Sequence, residues 1–385
     1  MLKIARETFS PGVRQKVVLT AAETKSYSRA ERVLRAVGEV EISDRHIGRI
    51  ARERGQQLID EQHQRAAQHQ HKELPVEVRN PPELAVVEMD GGRIRTRQAG
   101  CGPGTHEPAW RETKNALFQR MSSEEHADDP APELPAALQN RHRVRQVVLE
   151  MSGTADGAPE PPEPESVDEE PSGYVAPKRL LRTCLSSLDE VRTFGRLMAA
   201  EAHRKAFYQA PRQAFVADGM KCNWTVWKKH FPTFTPIVDF LHVVSYLYHA
   251  AVAVGEEEEF GWGLCLDWTT ACWGGRVSEV ITELTDWLSD QPAAEGELVE
   301  DDPRRIVQKA VTYLTNNRCR MDYPTYRKRG LPITSALMES LIKEINWRVK
   351  GTEKFWNDPG GATPILALKA AALCDDNRLE NLLTE

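Results

Sequence analysis

The chain has 385 residues, of which 40% are hydrophobic and 28% are charged. This is a globular composition, long enough for about two or three domains with a real core, so a peptide, a collagen-like fibre and a wholly disordered chain are excluded. The formal net charge is −7, but residues 122–173 contain 13 acidic and only 3 basic residues. The rest of the chain is therefore basic on balance, and binding to a polyanion stays open.

The first 60 residues predict a small helical unit. Its three helices span residues 12–22, 27–37 and 43–59. Ser43 is placed to cap the third helix, and Ile47 and Ile50 form an apolar edge on it. Arginines project elsewhere from this helix, and those expected to contact DNA are Arg45, Arg49 and Arg52. Residues 1–62 are therefore a candidate for a helix-turn-helix-like region that binds DNA in the major groove. A solvated basic helix in a small bundle is an equally open interpretation.

The sequence pattern changes from helical to strand-like after a Gln- and His-rich stretch. Residues 63–80 are predicted to be a linker or a solvated helix. From Leu84 the run LAVVEMD reads as a buried strand that ends in Asp90, and RIRTRQ alternates after two glycines. This pattern predicts a β-hairpin with a carboxylate at its tip.

An acidic, proline-rich insert follows at residues 122–173. It contains too little apolar surface to offset the entropy of ordering, so we expect it to be largely disordered, although residues 141–151 can fold locally. Further strand and helix patterns follow the insert. They are an extended segment at 174–184, a helix at 188–207, a strand at 213–218, a Trp-rich helix and a strand at 235–240. The order strand, strand, strand, helix, strand, helix, strand predicts an α/β fold with a mixed sheet.

Residues 243–330 show no strand pattern and predict an all-α insertion rich in tryptophan. The apolar stretch 236–254 is about as long as a membrane span, but it contains an aspartate and two histidines, so we interpret it as buried core and expect no membrane partner. The seven cysteines form no CxxC pair, which excludes a disulfide framework and a Cys-rich zinc module. A cytoplasmic location is expected.

The most informative segment contains one well-delimited helix. Pro332, a cap at Thr334 or Ser335, and Gly351 predict about 16 helical residues, from Ser335 to Lys350. Its apolar stripe consists of Met338, Ile342, Ile345 and Val349. Beside the stripe, four polar residues lie within about 60° of one another. They are Glu339, Lys343, Asn346 and Lys350. This arrangement suits a metal ligand beside a track for a phosphate backbone, although an ordinary Glu–Lys pair is the commoner use of such spacing.

Three carboxylates stand out along the chain. Asp90 and Asp218 each end a predicted strand at a glycine, and Glu339 lies on the helix far downstream. A lone aspartate at a strand end is usually a turn residue. Two of them, combined with the downstream glutamate and the basic flanks, are much less expected by accident.

The sequence resembles bacterial insertion-sequence transposases of the Mutator-like superfamily. The segments that carry the resemblance are VVEMDGG with Asp90, WRETKNA from Trp110, VADG with Asp218, VDFLH from Val238, and RGLPITSALMESLIKEINWRVKGTEKFW with Glu339. It covers the chain from about residue 10 to the end, except for the acidic insert. The last segment is long and specific, and the others gain weight from their order.

The resemblance implies an RNase H-like mixed sheet flanked by helices. The catalytic domain is expected in two parts, residues 81–242 and 331–385, separated by the all-α insertion. By the resemblance, Asp90, Asp218 and Glu339 form a DDE catalytic triad that binds metal.

The family also has a Cys or Asp followed three positions later by His, which Asp239 and His242 match. Asp239 ends a predicted strand and could itself be the second ligand, but the place of Asp218 on the strand after the helix favours Asp218. Asp239 and His242 are then expected either to support the site or to form a structural hydrogen-bonded pair.

Three oxygen donors without a Cys or His requirement favour two Mg²⁺ or Mn²⁺ ions. Two such ions can serve an in-line displacement in which water, and then a freed 3′-OH, is the attacking group. The partners implied are the terminal inverted repeats of the element and target DNA, with a homo-oligomer assembled on DNA at the bacterial nucleoid.

Other residues are candidates for DNA contact. Phosphate contacts are expected from Arg327, Lys328, Arg329, Lys343, Asn346 and Lys350. Trp268 or Trp273 could stack on an unpaired base, although core packing is the commoner use of such residues. A catalytically inactive or domesticated DNA-binding regulator remains the alternative function, with an RNase H-like repair nuclease as a third.

Overall fold

The computed structural model describes residues 9–97, 109–151, 176–255, 257–292, 296, 298–351, 356 and 359–384. Within these residues five strands form a single sheet. They are β1 (Leu84–Thr96), β2 (Ala109–Ser122), β3 (Lys178–Ser187), β4 (Arg212–Ala217) and β5 (Thr235–Val238). The helices are α1 (Pro11–Glu23), α2 (Tyr27–Ala36), α3 (Asp44–Gln70), α4 (Ala136–Gln139), α5 (Arg141–Met151), α6 (Val191–Arg204), α7 (Lys221–His230), α8 (Phe240–Val254), α9 (Glu258–Trp273), α10 (Val277–Asp290), α11 (Pro303–Asn317), α12 (Tyr323–Lys328), α13 (Ala336–Val349), α14 (Pro359–Ala372) and α15 (Arg378–Thr384).

The strand order in the sheet is β3-β2-β1-β4-β5. β2 is antiparallel to both of its neighbours, β1 and β3, whereas β1, β4 and β5 run parallel to one another. Met89 is the last residue of β1 that pairs with β4, and its partner Ala217 pairs in turn with Val238 of β5. The predicted α/β class with a mixed sheet is therefore confirmed, and the parallel pairing ends in register on three adjacent strands.

β1 does not turn where the sequence pattern predicts a hairpin, and that prediction is wrong. The strand passes straight through Gly91 and Gly92, which pair with Lys114 and Thr113 of β2. A Cβ at Gly92 would lie 2.6 Å from the Thr113 hydroxyl oxygen, so the glycine permits a close approach within the ladder. The second strand of the sheet is consequently β2, and RIRTRQ belongs largely to β1.

Two hydrophobic cores lie on the sheet. One joins most of the buried sheet residues to α6–α11. The other joins Ile94 and Leu117 of the sheet to α1–α3, α13 and α14. The N-terminal helices thus share their core with the C-terminal part of the chain, and Gly55 of α3 packs directly on Pro364 of α14. α3 also continues to Gln70, through the first part of the predicted linker.

The acidic insert is ordered over its first part: the prediction of disorder is wrong for residues 122–140, whereas the expected local folding of residues 141–151 is confirmed. α5 spans Arg141–Met151, the segment expected to fold locally, and Val144 and Val148 are buried in the first core. Asp129 forms an ion pair with Arg327, from a segment far away in sequence. Composition cannot reveal such remote partners, which supply the contacts that order the segment. Residues 152–175 lie outside the described residues.

The helical insertion follows β5. The described residues between 243 and 330 form α8 to α12 and contain no strand, as the sequence predicts. The apolar stretch 236–254 covers most of β5 and all of α8, and its side chains Val238, Phe240, Val243 and Val244 are buried in the first core. Across the residues described above, no helix combines the length and the apolar character that crossing a bilayer would require.

Candidate metal centre

Three aspartates lie where the parallel pairing of the sheet ends. Asp90, Asp218 and Asp239 each come directly after one of the three residues paired in register on β1, β4 and β5. Neighbouring strands are about 4.8 Å apart, so these aspartates start from adjacent positions at one edge of the sheet. The backbone N–H of Asp239 also donates to the carbonyl of Ala217, at 2.9 Å, and keeps the β4 and β5 ends together.

Glu339 reaches the same edge from α13. This helix begins after Ser335, as predicted, and buries Met338, Ile345 and Val349, so that Glu339 in its first turn lies next to the sheet. Ligand atoms of Glu339, Asp239 and His242 all lie within 4.8 Å of one another, close enough to hold one metal ion. Oε1 of Glu339 is buried and has no hydrogen-bond partner among the described residues.

The Asp239 carboxylate is fully used by hydrogen bonds. Its side chain is 0% exposed. Oδ1 accepts from the Leu241 N–H at 3.0 Å, and Oδ2 lies 2.7 Å from both His242 Nδ1 and the Ser335 hydroxyl. Asp239 therefore ties the start of α8 to the start of α13. This is the hydrogen-bonded pair that the sequence pattern offers as one of two roles for Asp239 and His242.

The Asp218 carboxylate is held on one oxygen only by the described residues. Oδ1 accepts from the Met220 N–H and from Asn223 Nδ2, both at 2.8 Å. Asn223 also donates to the carbonyl of Met89 at 3.3 Å, and the Tyr313 hydroxyl donates to the Asp218 carbonyl at 2.9 Å. Oδ2 of Asp218 is left available for a ligand.

Asn223 and Tyr313 were not identifiable as site residues from the sequence alone. Asn223 offers at most a local signal, since it lies in the first turn of α7 five residues after Asp218. Tyr313 belongs to α11 in the helical insertion, and only the fold brings it to the site.

Burial and mutual repulsion raise the pKa values of the carboxylates. Burial raises the pKa of Asp90 to about 7, and the negative charge of Asp218 adds to this. Burial also raises the pKa of Asp218 and of Glu339, and in both cases the charge of Asp239 contributes. Asp90 and Asp218 therefore lie next to the cluster of Asp239, His242 and Glu339 at this edge of the sheet, and they also interact electrostatically with Asp239 and His242. A divalent cation would favour the charged form of every one of these groups.

The pKa of His242 is also raised, but for a histidine this favours the charged form, whereas for the carboxylates it favours the neutral form. Burial alone would lower its pKa, but the bond to Asp239 and the charges of Asp239, Asp218 and Asp90 raise the pKa to about 9. The imidazole is therefore protonated at neutral pH, and a protonated imidazole cannot ligate a metal. His242 acts as a positive charge beside the carboxylates.

Glu88 is a further carboxyl group that sequence reasoning missed, because it lies inside the apolar run LAVVEMD. It is two residues before Asp90 on the same face of β1, and Gln119 Nε2 donates to its Oε1 at 2.7 Å. Burial raises its pKa to about 8, with the charge of Asp239 adding to the effect. At neutral pH Glu88 is mostly neutral and adds little charge to the centre.

The residues predicted to contact DNA lie mostly at the surface. Exposed side chains are those of Arg45, Arg49, Arg52, Lys328, Lys343 and Lys350, and Arg329 and Asn346 are half-buried. Some have protein partners: Arg49 pairs with Glu53 at 2.7 Å, and Lys343 Nζ pairs with Glu150 of α5 at 2.6 Å. Their contacts with DNA stay predictions.

Arg327 is an exception, and its predicted phosphate contact is wrong. Its side chain is 0% exposed, its Nε donates to Asp129 at 2.8 Å, and its guanidinium lies 4.1 Å from the centroid of the Trp273 ring. The cation is used inside the fold, where it anchors the acidic segment.

The predicted base stacking by Trp268 or Trp273 is also wrong. The two residues are 4% and 5% exposed and belong to the first core. Their indole N–H groups donate to Glu283 at 2.6 Å and to the Ala131 carbonyl at 2.8 Å. Both therefore pack the helical insertion, the commoner use of such residues.

The segments on which the transposase resemblance depends meet at this centre. VVEMDGG, VADG and the long downstream segment each supply a carboxylate, VDFLH supplies Asp239 and His242, and the end of WRETKNA pairs with VVEMDGG in the sheet. Comparison of the chain with models of known protein families and with curated proteins finds no match. The resemblance stays a prediction.

Proposed function

We propose that this chain is a DNA transposase with an RNase H-like catalytic domain, in which Asp90, Asp218 and Glu339 hold the metal ions for DNA cleavage. The observation that supports the proposal is that segments far apart in sequence meet at the end of the parallel pairing of a mixed sheet, where Asp90 and Asp218 follow adjacent strands and Glu339 lies close to Asp239 and His242. The strand order β3-β2-β1-β4-β5 is compatible with an RNase H-like fold.

The donor set fits Mg²⁺ or Mn²⁺. Carboxylate oxygens are the ligands these hard ions prefer. Glu339 Oε1 is buried without a hydrogen-bond partner among the described residues, and a cation would satisfy it. Two such ions, when bound, supply charge stabilisation to the attacking and departing oxygens of a phosphodiester displacement.

Asp218 is the better second ligand than Asp239. Three hydrogen bonds occupy both oxygens of the buried carboxylate of Asp239, so a metal there would share an oxygen that is already bonded. Asp218 keeps one oxygen available while Asn223 fixes the other. In this arrangement Asp239 positions the first turns of α8 and α13, and protonated His242 offsets part of the negative charge.

The surrounding surface supplies the DNA contacts in this proposal. Exposed arginines on α3 and exposed lysines on α13 are placed to meet phosphates of the terminal inverted repeats and of target DNA. A homo-oligomer assembled on DNA, with two element ends processed together, completes the proposed reaction. Cleavage of an element end by water leaves a 3′-OH, which then attacks the target strand.

A nicking assay tests the proposal. Plasmid carrying the inverted repeats of the element is incubated with the protein and Mg²⁺, and Asp90→Asn and Glu339→Gln are compared with the exposed control Asp286→Asn. We expect each centre variant to cut at least about a thousandfold more slowly, which corresponds to about 4 kcal/mol, because the metal ions lose a ligand. The control should cut at the wild-type rate.

Wild-type cutting by either centre variant would remove that residue from the triad. DNA binding without any metal-dependent cutting by the wild type would favour the DNA-binding regulator instead. Cutting of flaps or hybrids that lack terminal repeats would favour the repair nuclease.

A further inference from the structure

A basic pocket of about 550 Å³ opens along α7, directly after Asp218 in the chain. Four cationic side chains and two indoles line it, and no lining residue is acidic. These six are Lys221, Lys228, Lys229, Arg320, Trp224 and Trp227. The pocket therefore combines positive charge with aromatic surface, which is the combination that nucleic-acid strands require.

Arg320 forms the wall between the two indoles. Its guanidinium carbon lies 4.3 Å from the centroid of the Trp224 ring and 6.0 Å from that of Trp227. One of its terminal nitrogens donates to the Asn316 carbonyl at 3.0 Å, whereas its buried Nε has no partner among the described residues. The same terminal nitrogen donates to Asn317 Oδ1 at 3.3 Å, so the flat cation is held in place.

The two tryptophans are anchored by their polar edges. Trp224 Nε1 donates to Asn317 at 3.0 Å, and Trp227 Nε1 donates to the Phe234 carbonyl at 2.8 Å. Because both N–H donors are already used, a ligand can meet these residues only through ring surface. Trp227 is the more accessible of the two, since Trp224 is almost fully buried.

One end of the pocket lies close to Asp218 of the metal centre. Lys221 begins α7 three residues after Asp218, which limits the separation of their Cα atoms to about 11 Å. From there α7 carries the pocket for about 12 Å, to Lys229. Asn223 of the same helix positions the Asp218 carboxylate. A strand bound along α7 would therefore lead into the centre.

We propose that this pocket binds a single-stranded DNA segment next to the metal centre, with phosphates on the lysines and an unpaired base on the wall of Trp227 and Arg320. The ring surface argues for a single strand, because the bases of a duplex are already stacked on each other and cannot reach it. A small inorganic anion would use the lysines but not the indoles. The proposed function explains why a single strand would be present, and in that respect the inference rests on it. The pocket itself does not depend on the proposed function.

Binding can be measured without metal. Fluorescence anisotropy in EDTA follows a labelled oligothymidine of about 12 nucleotides, beside an abasic strand and a duplex of equal length. The test variant is Lys228→Ala with Lys229→Ala, both exposed on α7. The matched control is Lys178→Ala with Arg179→Ala, which removes the same charge from the start of β3, away from the carboxyl ends of the parallel strands.

We expect the test variant to bind oligothymidine about tenfold more weakly, and the slope of log K against log salt to fall by about 1.4, because two phosphate contacts are lost. The control should match the wild type. The wild type should prefer oligothymidine to both the abasic strand and the duplex.

The pocket would be overturned as a single-strand site if the control variant bound oligothymidine as weakly as the test variant. The same conclusion would follow if the wild type bound the duplex or the abasic strand as tightly as oligothymidine. Tighter binding of oligouridine would assign the pocket to RNA. Mn²⁺-induced thermal stabilisation, measured on the same variants, keeps the two proposals apart. If the lysine variant keeps that stabilisation but binds DNA normally, only the pocket fails; if the wild type shows no stabilisation but binds single strands through the pocket, only the metal centre fails.

Discussion

Replacing Asp90 by Asn should stabilise the metal-free protein, and more so at higher pH. Burial, with the charge of Asp218 added, raises the pKa of Asp90 from 3.8 to about 7. Between these values the folded chain binds a proton that the unfolded chain has released, so the stability of the wild type falls as pH rises from about 4 to about 7. Asn does not titrate and can still accept the 2.6 Å hydrogen bond from the Gly91 N–H.

The size of the effect follows from the two pKa values. At 1.36 kcal/mol per pKa unit, the raised pKa of Asp90 lowers the free energy of unfolding by about 4 kcal/mol above pH 7 and by about 1.7 kcal/mol at pH 5. The advantage of Asp90→Asn over the wild type should therefore grow by about 2.5 kcal/mol between pH 5 and pH 8. Mg²⁺ at about 100 times its Kd should stabilise the wild type by about 2.7 kcal/mol and leave the variant almost unchanged.

Urea unfolding in EDTA, followed by tryptophan fluorescence, gives the free energy of unfolding at each pH. The exposed Asp286→Asn serves as the matched control and should show no pH-dependent advantage. If the advantage of Asp90→Asn were the same at both pH values, Asp90 would ionise normally in the fold. The electrostatic crowding argued for the centre would then be refuted.

Two further variants probe the supports of the centre. Asn223→Ala removes the amide that holds one oxygen of the carboxylate after β4, so DNA cleavage should slow about tenfold or more while Mn²⁺ stabilisation weakens; unchanged rates in the nicking assay would show that this bond is dispensable. Arg327→Met leaves the partly exposed Asp129 carboxylate without its cation, so the free energy of unfolding should drop by about 1–3 kcal/mol in urea, with single-stranded DNA binding by the folded protein retained. Weakened binding with unchanged stability would restore the predicted phosphate contact.

The parts of the fold that local patterns determine were predictable. α13 begins after Ser335 because a proline lies upstream and ends near Gly351, and both signals are contained in the segment itself. The strands that carry Asp218 and Asp239 are short apolar runs with clear ends. The resemblance implied that the strand before Asp218 lies next to the strand before Asp90, and the pairing of β1 with β4 confirms that neighbourhood.

What the sequence could not show depends on partners that are distant along the chain. Gly91 and Gly92 are compatible with a turn or with a continuous β-strand. Their pairing with β2 stabilises the continuous strand. Arg327 and Lys328 look alike in sequence, but Asp129 draws only the first into the interior. Such choices are made by tertiary contacts that no local periodicity contains.

A second buried charge cluster shows why the carboxylates of the centre are better explained by cation binding than by folding. Burial alone would raise the pKa of Glu201, but Arg378 and Arg204 lower it to about 2, so this carboxylate is ionised and paired within the protein. Burial and the charges of Asp218 and Asp239 act on Asp90, opposed by the Gly91 N–H and by His242, and its pKa rises to about 7 instead. A chain that pairs one buried carboxylate so fully gains no stability by crowding others together. The crowding is expected where a site is built to receive positive charge from outside, which is the role that two divalent cations would fill.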